Sequence, residues 1–181
     1  MKATGIVRKI DDLGRVVIPK EIRRTLRIRE TDPLEIFTDR DGQIILKKYS
    51  PIGELGSFAR DYAESLASAS GHIVCIADRD QIISVAGGSK KEFLDKGTSE
   101  ALDKMINLRN PFSASKNDSF FVSILENDDE PSYSHQFIAP IISEGDVIGS
   151  VILLSPDTKM GDLENKLAIC AANFLGRQME N

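Results

Sequence analysis

The stretch Asp11-Asp12-Leu13-Gly14-Arg15-Val16-Val17-Ile18-Pro19 decides how the first part of this 181-residue chain folds. Asp-Asp-Leu-Gly is a turn signal, in which the glycine supplies a backbone conformation with positive φ. β-branched residues on both sides predict a strand over Thr4–Ile10 and a second strand over Arg15–Ile18. Pro19 then suits the first position of a helix, where its missing N–H costs nothing.

The helix after Pro19 is predicted over Lys20–Leu26, about two turns long. Two further strands are predicted over Leu34–Thr38 and Ile44–Lys48, on either side of the hairpin signal Arg40-Asp41-Gly42. Four short strands and one short helix cannot bury a sufficient core in about 49 residues. We therefore expect two copies of this unit to share one core as an obligate dimer.

Charge divides the chain into two parts of opposite sign. The whole sequence has a formal net charge of −5, yet residues 1–49 carry 12 Lys and Arg against 8 Asp and Glu, a net +4. Residues 50–181 carry 11 against 20, a net −9. The first part therefore has the charge to meet a polyanion, which the second part would repel. The break at Tyr49–Gly53 predicts two domains, 1–50 and 51–181, called the head and the body below.

The body is predicted to be an antiparallel sheet covered by helices, in the order αββααβββα. The predicted helices and strands of the body are Glu54–Ser70, His72–Ala77, Gln81–Ala86, Lys90–Asp95, Ser99–Leu108, Ser119–Leu125, Tyr133–Ile142, Asp146–Ser155 and Gly161–Met179. Apolar residues of the last helix alternate steps of four and three, the spacing of a coiled-coil seam: Leu163, Leu167, Cys170 and Phe174. We expect this seam and the Leu55–Leu66 face to pack against the same helices of another chain.

The head resembles the AbrB-type transition-state regulators almost from end to end. The resemblance rests on Thr4–Lys9, on Asp11–Pro19, on Glu21–Leu26, on Leu34-Glu35-Ile36 and on Ile44–Tyr49. It implies an all-β swapped-hairpin barrel with one short helix, in which two chains interleave their hairpins to form a DNA-binding dimer. Two positions depart from the family: Thr31 and Arg27 stand where relatives often have glycine. A different turn and a longer helix are therefore expected there.

The family's DNA-contacting positions fall on Arg8, Arg15, Arg23 and Arg24, with Lys2 and Lys9 as further candidates. Lys20 and Arg27 complete a basic stripe on the helix, at spacings of three and four, and their contact with DNA stays open. A solvated helix face is the alternative reading of that stripe. One two-turn helix is a poor helix-turn-helix, so recognition is expected to use backbone charge and DNA shape.

The body resembles a GAF sensor domain, an α+β fold, through Ala139-Pro140-Ile141-Ile142 and Gly145–Ile152. An AbrB-type head on a GAF-like body resembles sporulation regulators of endospore-forming bacteria. This implies a transcription factor of forespore genes, activating or repressing by promoter, and a tetramer built through both domains. A small-molecule effector of unknown identity is an open partner. Candidate residues for a pocket, with plain core as the alternative, are Phe93, Phe112, Phe120, Phe121, Tyr133 and Phe137.

Other function classes find little support in the sequence. No apolar stretch reaches bilayer length and no signal peptide is visible, so a cytoplasmic protein without a membrane partner is expected. We expect no metal and no cofactor, because His72 and His135 lack ligands at suitable spacing. Cys75 and Cys170 are expected to be buried structural thiols, so no catalysis is predicted. An antitoxin with an AbrB-type head is the alternative function, but it would need a disordered tail that wraps a toxin.

Overall fold

The computed structural model describes residues 4–54, 56–128 and 130–180. Contacts divide the chain into two compact units, residues 1–49 and 50–181, and each is described by itself. Ser50 belongs to the second unit, where its hydroxyl donates a hydrogen bond of 2.8 Å to Asp78. Within the described ranges no helix is long and apolar enough to cross a membrane.

The head contains helix α1 (Lys20–Thr25) and a hairpin of strands β1 (Leu34–Thr38) and β2 (Ile44–Lys48). The hairpin is antiparallel, with Leu34 opposite Lys48 and Thr38 opposite Ile44. Both strand predictions are confirmed to the residue. Pro19 stands one position earlier than predicted, at the N-cap rather than inside the helix.

The predicted strands Thr4–Ile10 and Arg15–Ile18 are not strands in this chain. The turn between them is present: Gly14 has φ 76°, and its N–H donates to the Asp11 carbonyl at 3.0 Å. A strand needs a neighbour for its backbone groups, and within the described residues these two segments form no ladder. Both segments have the composition of strands, but a single chain does not supply a partner strand for them.

The two glycine-replacing residues do not change the local geometry as expected. The helix ends at Thr25 instead of running longer, and Arg27 adopts a left-handed φ of 52°. Thr31 adopts φ 71° before β1. Both residues therefore take the conformation that glycine usually supplies, which corrects the expectation of a different turn and a longer helix.

The apolar residues of the head remain largely exposed in a single chain. Val7 is 86% exposed and Val17 71% exposed, and among the described head residues only Pro19 is buried. Leu26, on the predicted apolar face of α1, is also exposed. The sequence has the composition of a core, but the single chain does not bury it.

The body is a five-stranded antiparallel sheet with helices on both faces. Its helices are α2 (Pro51–Glu54), α3 (Gly56–Ser70), α4 (Lys90–Phe93), α5 (Glu100–Ile106) and α6 (Asp162–Gln178). Its strands are β3 (Ile73–Asp78), β4 (Ile82–Ala86), β5 (Phe112–Ser115), β6 (His135–Ser143) and β7 (Asp146–Ser155). They lie in the order β4-β3-β7-β6-β5, with neighbours antiparallel. The observed order differs from the predicted αββααβββα by the additional short helix α2, and one of the predicted strands lies elsewhere.

One predicted body strand is wrong. Ser119–Leu125 forms no strand, and its place in the order is taken by β5. The Tyr133 hydroxyl accepts the Ile124 N–H at 2.9 Å. With the side-chain amide of Gln136 oriented by its hydrogen bonds, its NH₂ group donates to the Val122 carbonyl at 2.8 Å and its oxygen accepts the Val122 N–H at 3.1 Å. Side chains thus satisfy the backbone groups that a strand ladder would otherwise use.

The sheet separates two apolar cores. Helices α3 and α6 cover one face with small residues, among them Ala59, Ala63, Ala168 and Ala172. At Gly176 of α6, an added Cβ would lie 2.1 Å from the Ile142 carbonyl oxygen, so only glycine permits this close approach to β6. The other face is covered by α4, α5 and the segment after β5.

Candidate nucleic-acid interface

Exposed basic side chains lie on both sides of the first turn of the head. Arg8 and Lys9 precede the turn and Arg15 follows it, and all three are exposed. Within the described residues, the side chains of Arg8 and Lys9 make no hydrogen bond or ion pair, so their charge is available to an anion. Lys2, the remaining candidate of this group, lies outside the described residues.

The tip of this turn is organised by one carboxylate. The Asp11 Oδ1 atom accepts the backbone N–H of Leu13 at 3.1 Å and that of Arg15 at 2.7 Å. The Oδ2 atom accepts the Arg15 Nε–H at 2.8 Å. The backbone N–H and then the side chain of Arg15 lower the pKa of Asp11, with a smaller contribution from Leu13. Asp11 is therefore ionised at neutral pH and fixes both the backbone and the side chain of Arg15.

Helix α1 carries the second group of candidates. Lys20 and Arg24 are exposed, whereas Arg23 is half-buried. Arg23 and Arg24 lie in the last turn, where positive charge interacts favourably with the helix dipole. Arg27 lies beyond the end of the helix and is half-buried. The structure thus places Lys20, Arg23 and Arg24 on one short element and separates Arg27 from it.

A partly buried ion pair anchors the segment that follows α1. Lys48 Nζ lies 3.0 Å from Asp32 Oδ2 and donates to the Arg27 carbonyl at 2.9 Å. Asp32 also accepts the backbone N–H of Arg29 at 2.8 Å. Burial raises the pKa of Asp32, but the hydrogen bonds from Arg29 and Lys48 together with their positive charges outweigh it and lower that pKa. This cluster connects the basic helix to strand β2.

Asp11, Asp32 and Lys48 were not among the predicted site residues. Asp11 had a sequence signal, because aspartate is favoured at the first position of a turn, where its side chain accepts nearby N–H groups. The Asp32–Lys48 pair had none, since its members lie on different elements and no local pattern relates them. Acidic residues therefore organise a surface that the sequence marks only by its basic ones.

Two features of the body bear on the predicted pocket. A shallow cavity of about 320 Å³ lies at the end of α3, where its lining includes Glu64, Ser68, His72 and Gly87. On the opposite face, Phe93 and Tyr133 are buried in the second core. Phe112 and Phe121 pack partly against that core, Phe137 lies in the first core, and Phe120 is exposed. The six aromatic candidates therefore do not line one pocket.

The two cysteines differ in their surroundings. Cys75 is fully buried in β3, and burial raises the pKa of its thiol well above the usual value. Cys170 is exposed on α6, which corrects the prediction that both thiols are buried. It lies beside Tyr62, whose pKa is raised by burial and by Cys170. The buried thiol thus lacks the thiolate character that a reactive cysteine needs.

Family comparisons cover nearly the whole chain. A model described as Stage V sporulation protein T C-terminal, transcription factor, matches residues 54–180. A second, described as antidote-toxin recognition MazE, bacterial antitoxin, matches residues 7–54. Stage V sporulation protein T of Bacillus subtilis (strain 168) is 56% identical over 180 residues, which is 99% of each chain. Transition state regulatory protein AbrB of the same strain is 71% identical over 51 residues, which is 28% of this chain and 52% of that protein.

Solved structures with low identity share the fold of the body. The GAF domain from Acinetobacter phosphoenolpyruvate-protein phosphotransferase superposes with a TM-score of 0.58 at 10% identity, covering 69% of this chain and 81% of that chain. Type II free methionine-R-sulfoxide reductase from Thermoplasma acidophilum superposes with a TM-score of 0.51 at 13% identity, covering 69% and 94%. At such identities the likeness shows a GAF fold and does not extend to the reductase's chemistry.

Proposed function

The chain belongs to the stage V sporulation protein T family of transcription factors, and we propose that it regulates forespore genes by binding double-stranded DNA through its head. The proposed contacts are Lys2, Arg8, Lys9, Arg15, Arg23 and Arg24. The same protein would activate some promoters and repress others, in the cytoplasm. The observation that carries the proposal is the charge reversal between the two parts of the chain, a net +4 followed by a net −9.

Electrostatics favours the head as the only DNA-binding part. Neutralising phosphates with Lys and Arg releases counterions and supplies most of the sequence-independent affinity. The candidate arginines that the structure describes surround one turn and one short helix of the positively charged unit. A body with a net −9 would be repelled by the same DNA, which leaves it to sense, to oligomerise, or to do both.

A dimer of heads supports this role. Val7, Val17, Leu26 and Ile44 are all more than half exposed in one chain, which a stable unit of this size does not tolerate. Interleaving with a second head would bury them and would give the segments 4–10 and 15–18 their missing strand partners. The resemblance to AbrB-type regulators supports the same arrangement.

A second interface on the body would join two such dimers into a tetramer. Leu163 is 64% exposed and Phe174 37% exposed on the outer side of α6. Phe174 stacks on Phe58 and Tyr62 of α3, with ring centroids 5.7 Å and 5.4 Å apart. Phe58, Tyr62 and Phe174 therefore form an outer apolar patch across the two helices, suited to the same patch of another copy. Of the predicted Leu55–Leu66 face, Leu66 lies instead in the first core, and Leu55 lies outside the described residues. Two linked heads would bind DNA with higher avidity than one.

We propose further that the body has no catalytic role and responds to a small molecule. The GAF fold supports a sensor role, and the buried thiol of Cys75 does not support thiol chemistry. The antitoxin alternative draws on the match at residues 7–54 but needs a disordered tail. Helices α3–α6 and strands β3–β7 instead enclose two cores, which favours the regulator.

Footprinting of the purified chain on genomic DNA of its source tests the function. We expect protected sites upstream of sporulation genes. Arg24→Ala should lose them, because it removes an exposed charge of the head without disturbing packing. Lys104→Ala, which removes an equally exposed charge from α5 of the body, should keep them. Protection that survives Arg24→Ala, or that ignores sporulation genes, would refute the proposal.

A further inference from the structure

We propose that Asp11 is a positioning residue for Arg15 and thereby helps to determine which DNA sequences the head prefers. The inference rests on the proposed DNA-binding function, in which Arg15 is one of the contacts. It assigns a role in DNA recognition to an acidic residue whose negative charge by itself would repel DNA.

The Asp11 carboxylate binds both the backbone and the side chain of Arg15. Asp11 Oδ1 accepts the backbone N–H groups of Leu13 and Arg15, and Asp11 Oδ2 accepts the Arg15 Nε–H at 2.8 Å. The turn closes beneath them, since the Asp11 N–H donates to the Arg15 carbonyl at 3.1 Å. The start and the head of the Arg15 side chain are therefore held by the same group.

This arrangement leaves the reading end of Arg15 open. The Nε–H is used by Asp11, whereas the two terminal NH₂ groups make no hydrogen bond within the described residues. The side chain is 68% exposed, so those groups face solvent. A planar guanidinium with two NH₂ groups can bind a phosphate or the edge of guanine in bidentate fashion. Fixing its plane before binding reduces the entropy lost on contact.

Substituting Asp11 has two opposite expected effects on DNA binding: it removes a negative charge, and it releases the side chain of Arg15. Removing a negative charge from a surface that meets phosphates should tighten binding to any DNA. Releasing Arg15 should instead weaken binding where a defined guanidinium geometry is needed, on a preferred sequence. The two effects separate in the ratio of affinities for preferred and shuffled DNA, because only the second effect changes it. An exposed ion pair contributes little to stability, so the fold should be kept.

Asp11→Asn and Asp12→Asn form a matched pair for this test. Asparagine at position 11 still offers an oxygen to the two backbone N–H groups but places no charge on Nε. Asp12 is the adjacent exposed carboxylate, and within the described residues its side chain makes no hydrogen bond or ion pair. The full chain is titrated against a duplex that it selects from a random pool and against a shuffled duplex of the same composition.

Asp11→Asn should lower the ratio of the two affinities about threefold to tenfold, part of what one bidentate contact contributes. Asp12→Asn should leave the ratio unchanged. Asp11→Ser, which keeps a short turn-forming acceptor that cannot reach Nε, should behave like Asp11→Asn and guards against misfolding of one variant. In the Arg15→Ala background, Asp11→Asn should have no further effect on the ratio.

The possible failures are distinguishable. An unchanged ratio in folded Asp11→Asn and Asp11→Ser, with a lowered ratio in Arg15→Ala, would overturn the inference and leave DNA binding intact. An equal loss of the ratio in Asp12→Asn would also overturn it, because the loss would then not depend on the contact between Asp11 and Arg15. If the unmodified chain selects no duplex at all, the proposed function fails and the inference falls with it.

Discussion

Two residues of the head hold left-handed backbone conformations that glycine adopts without strain. Thr31 has φ 71° and Arg27 has φ 52°. This region is unfavourable for residues with a Cβ, and most of all for a β-branched one. Thr31 is exposed, so nothing it packs against offsets this cost. The head therefore keeps the turn that glycine would form and loses some stability by doing so.

Thr31→Gly should stabilise the head by about 0.5–1 kcal/mol, the strain relieved less the extra chain entropy that glycine loses on folding. Urea unfolding of the full chain, followed by a probe in the head, measures the change. Thr31→Ala serves as the control: it removes the same exposed side chain but keeps the Cβ, so most of the gain should be missing. An unchanged or lower midpoint for Thr31→Gly would contradict this explanation.

The pKa of Asp32 predicts a pH dependence of head stability. Its pKa is lower in the folded chain than its usual value near 3.8, because hydrogen bonds from Arg29 and Lys48 outweigh burial. The resulting stability is fully present above that value and is lost as the pH falls through the lowered folded pKa. Asp32→Asn should therefore be less stable than the unmodified chain at pH 7, and the difference should shrink below about pH 4.

Asp41→Asn is the matched control for Asp32→Asn. Asp41 is exposed at the turn between β1 and β2, so its loss should leave the acid branch of the stability curve unchanged. Urea midpoints measured from pH 7 down to pH 3 would show the difference. A gap between Asp32→Asn and the unmodified chain that stays constant over this range would rule out the ion pair as its origin.

Local sequence signals predicted a strand correctly where its partner strand lies close by along the chain. Strands β1 and β2 were predicted to the residue because a short turn with Gly42 brings them together. The segments 4–10 and 15–18 have strand composition, but their neighbours are not supplied by one chain. The strand predicted over Ser119–Leu125 is absent for another reason: the Tyr133 and Gln136 side chains bind the backbone of this segment. No periodicity reports such side-chain contacts.

The candidate site divides in the same way. The basic residues could be predicted, because their spacing and the family resemblance are properties of the linear sequence. The groups that fix them could not, since Asp32 meets Lys48 only after β2 folds back along β1. The coiled-coil spacing of α6 picked out Leu163, Cys170 and Phe174, which are exposed, but also Leu167, which packs partly against the first core. The inner face of α6 depended on small residues such as Ala168 and Ala172, which periodicity alone does not assign to a sheet.

Helices α3 and α6 are predicted to form the interface between the bodies of two chains. Leu167→Lys should convert a tetramer into a head-linked dimer, because a charge buried between helices is costly. Multi-angle light scattering measures the mass, and DNA affinity should fall with the loss of avidity. Asn173→Lys adds the same charge to the exposed, polar side of α6 and should leave the tetramer intact. A dimer already present in the unmodified chain would contradict the bundle.

The head and the body are expected to assemble differently. The body buries two cores within one chain, whereas the head buries almost none of its apolar side chains. We therefore expect dimerisation of the head to be a condition of its folding, and association of the body to join units that are already folded. Folding of the head and formation of its DNA-binding surface would then be one event.

A fragment of residues 1–50 should unfold at a concentration-dependent midpoint, because its unfolding would also be dissociation. Denaturation followed by circular dichroism across a hundredfold range of concentration, roughly 1 to 100 μM, would reveal the shift. A fragment that stays folded as a monomer, with a midpoint independent of concentration, would exclude the shared core.

We infer that this acidic protein binds DNA through the basic surface of its head. The most direct test is the dependence of affinity on salt for the full chain and for Arg24→Ala, measured by fluorescence anisotropy on one duplex. We predict that log K falls steeply with log salt concentration, and that Arg24→Ala reduces the slope by about 0.9 per lost phosphate contact, or about 1.8 for a dimer. An affinity independent of salt, or an identical slope for a folded Arg24→Ala variant, would contradict it.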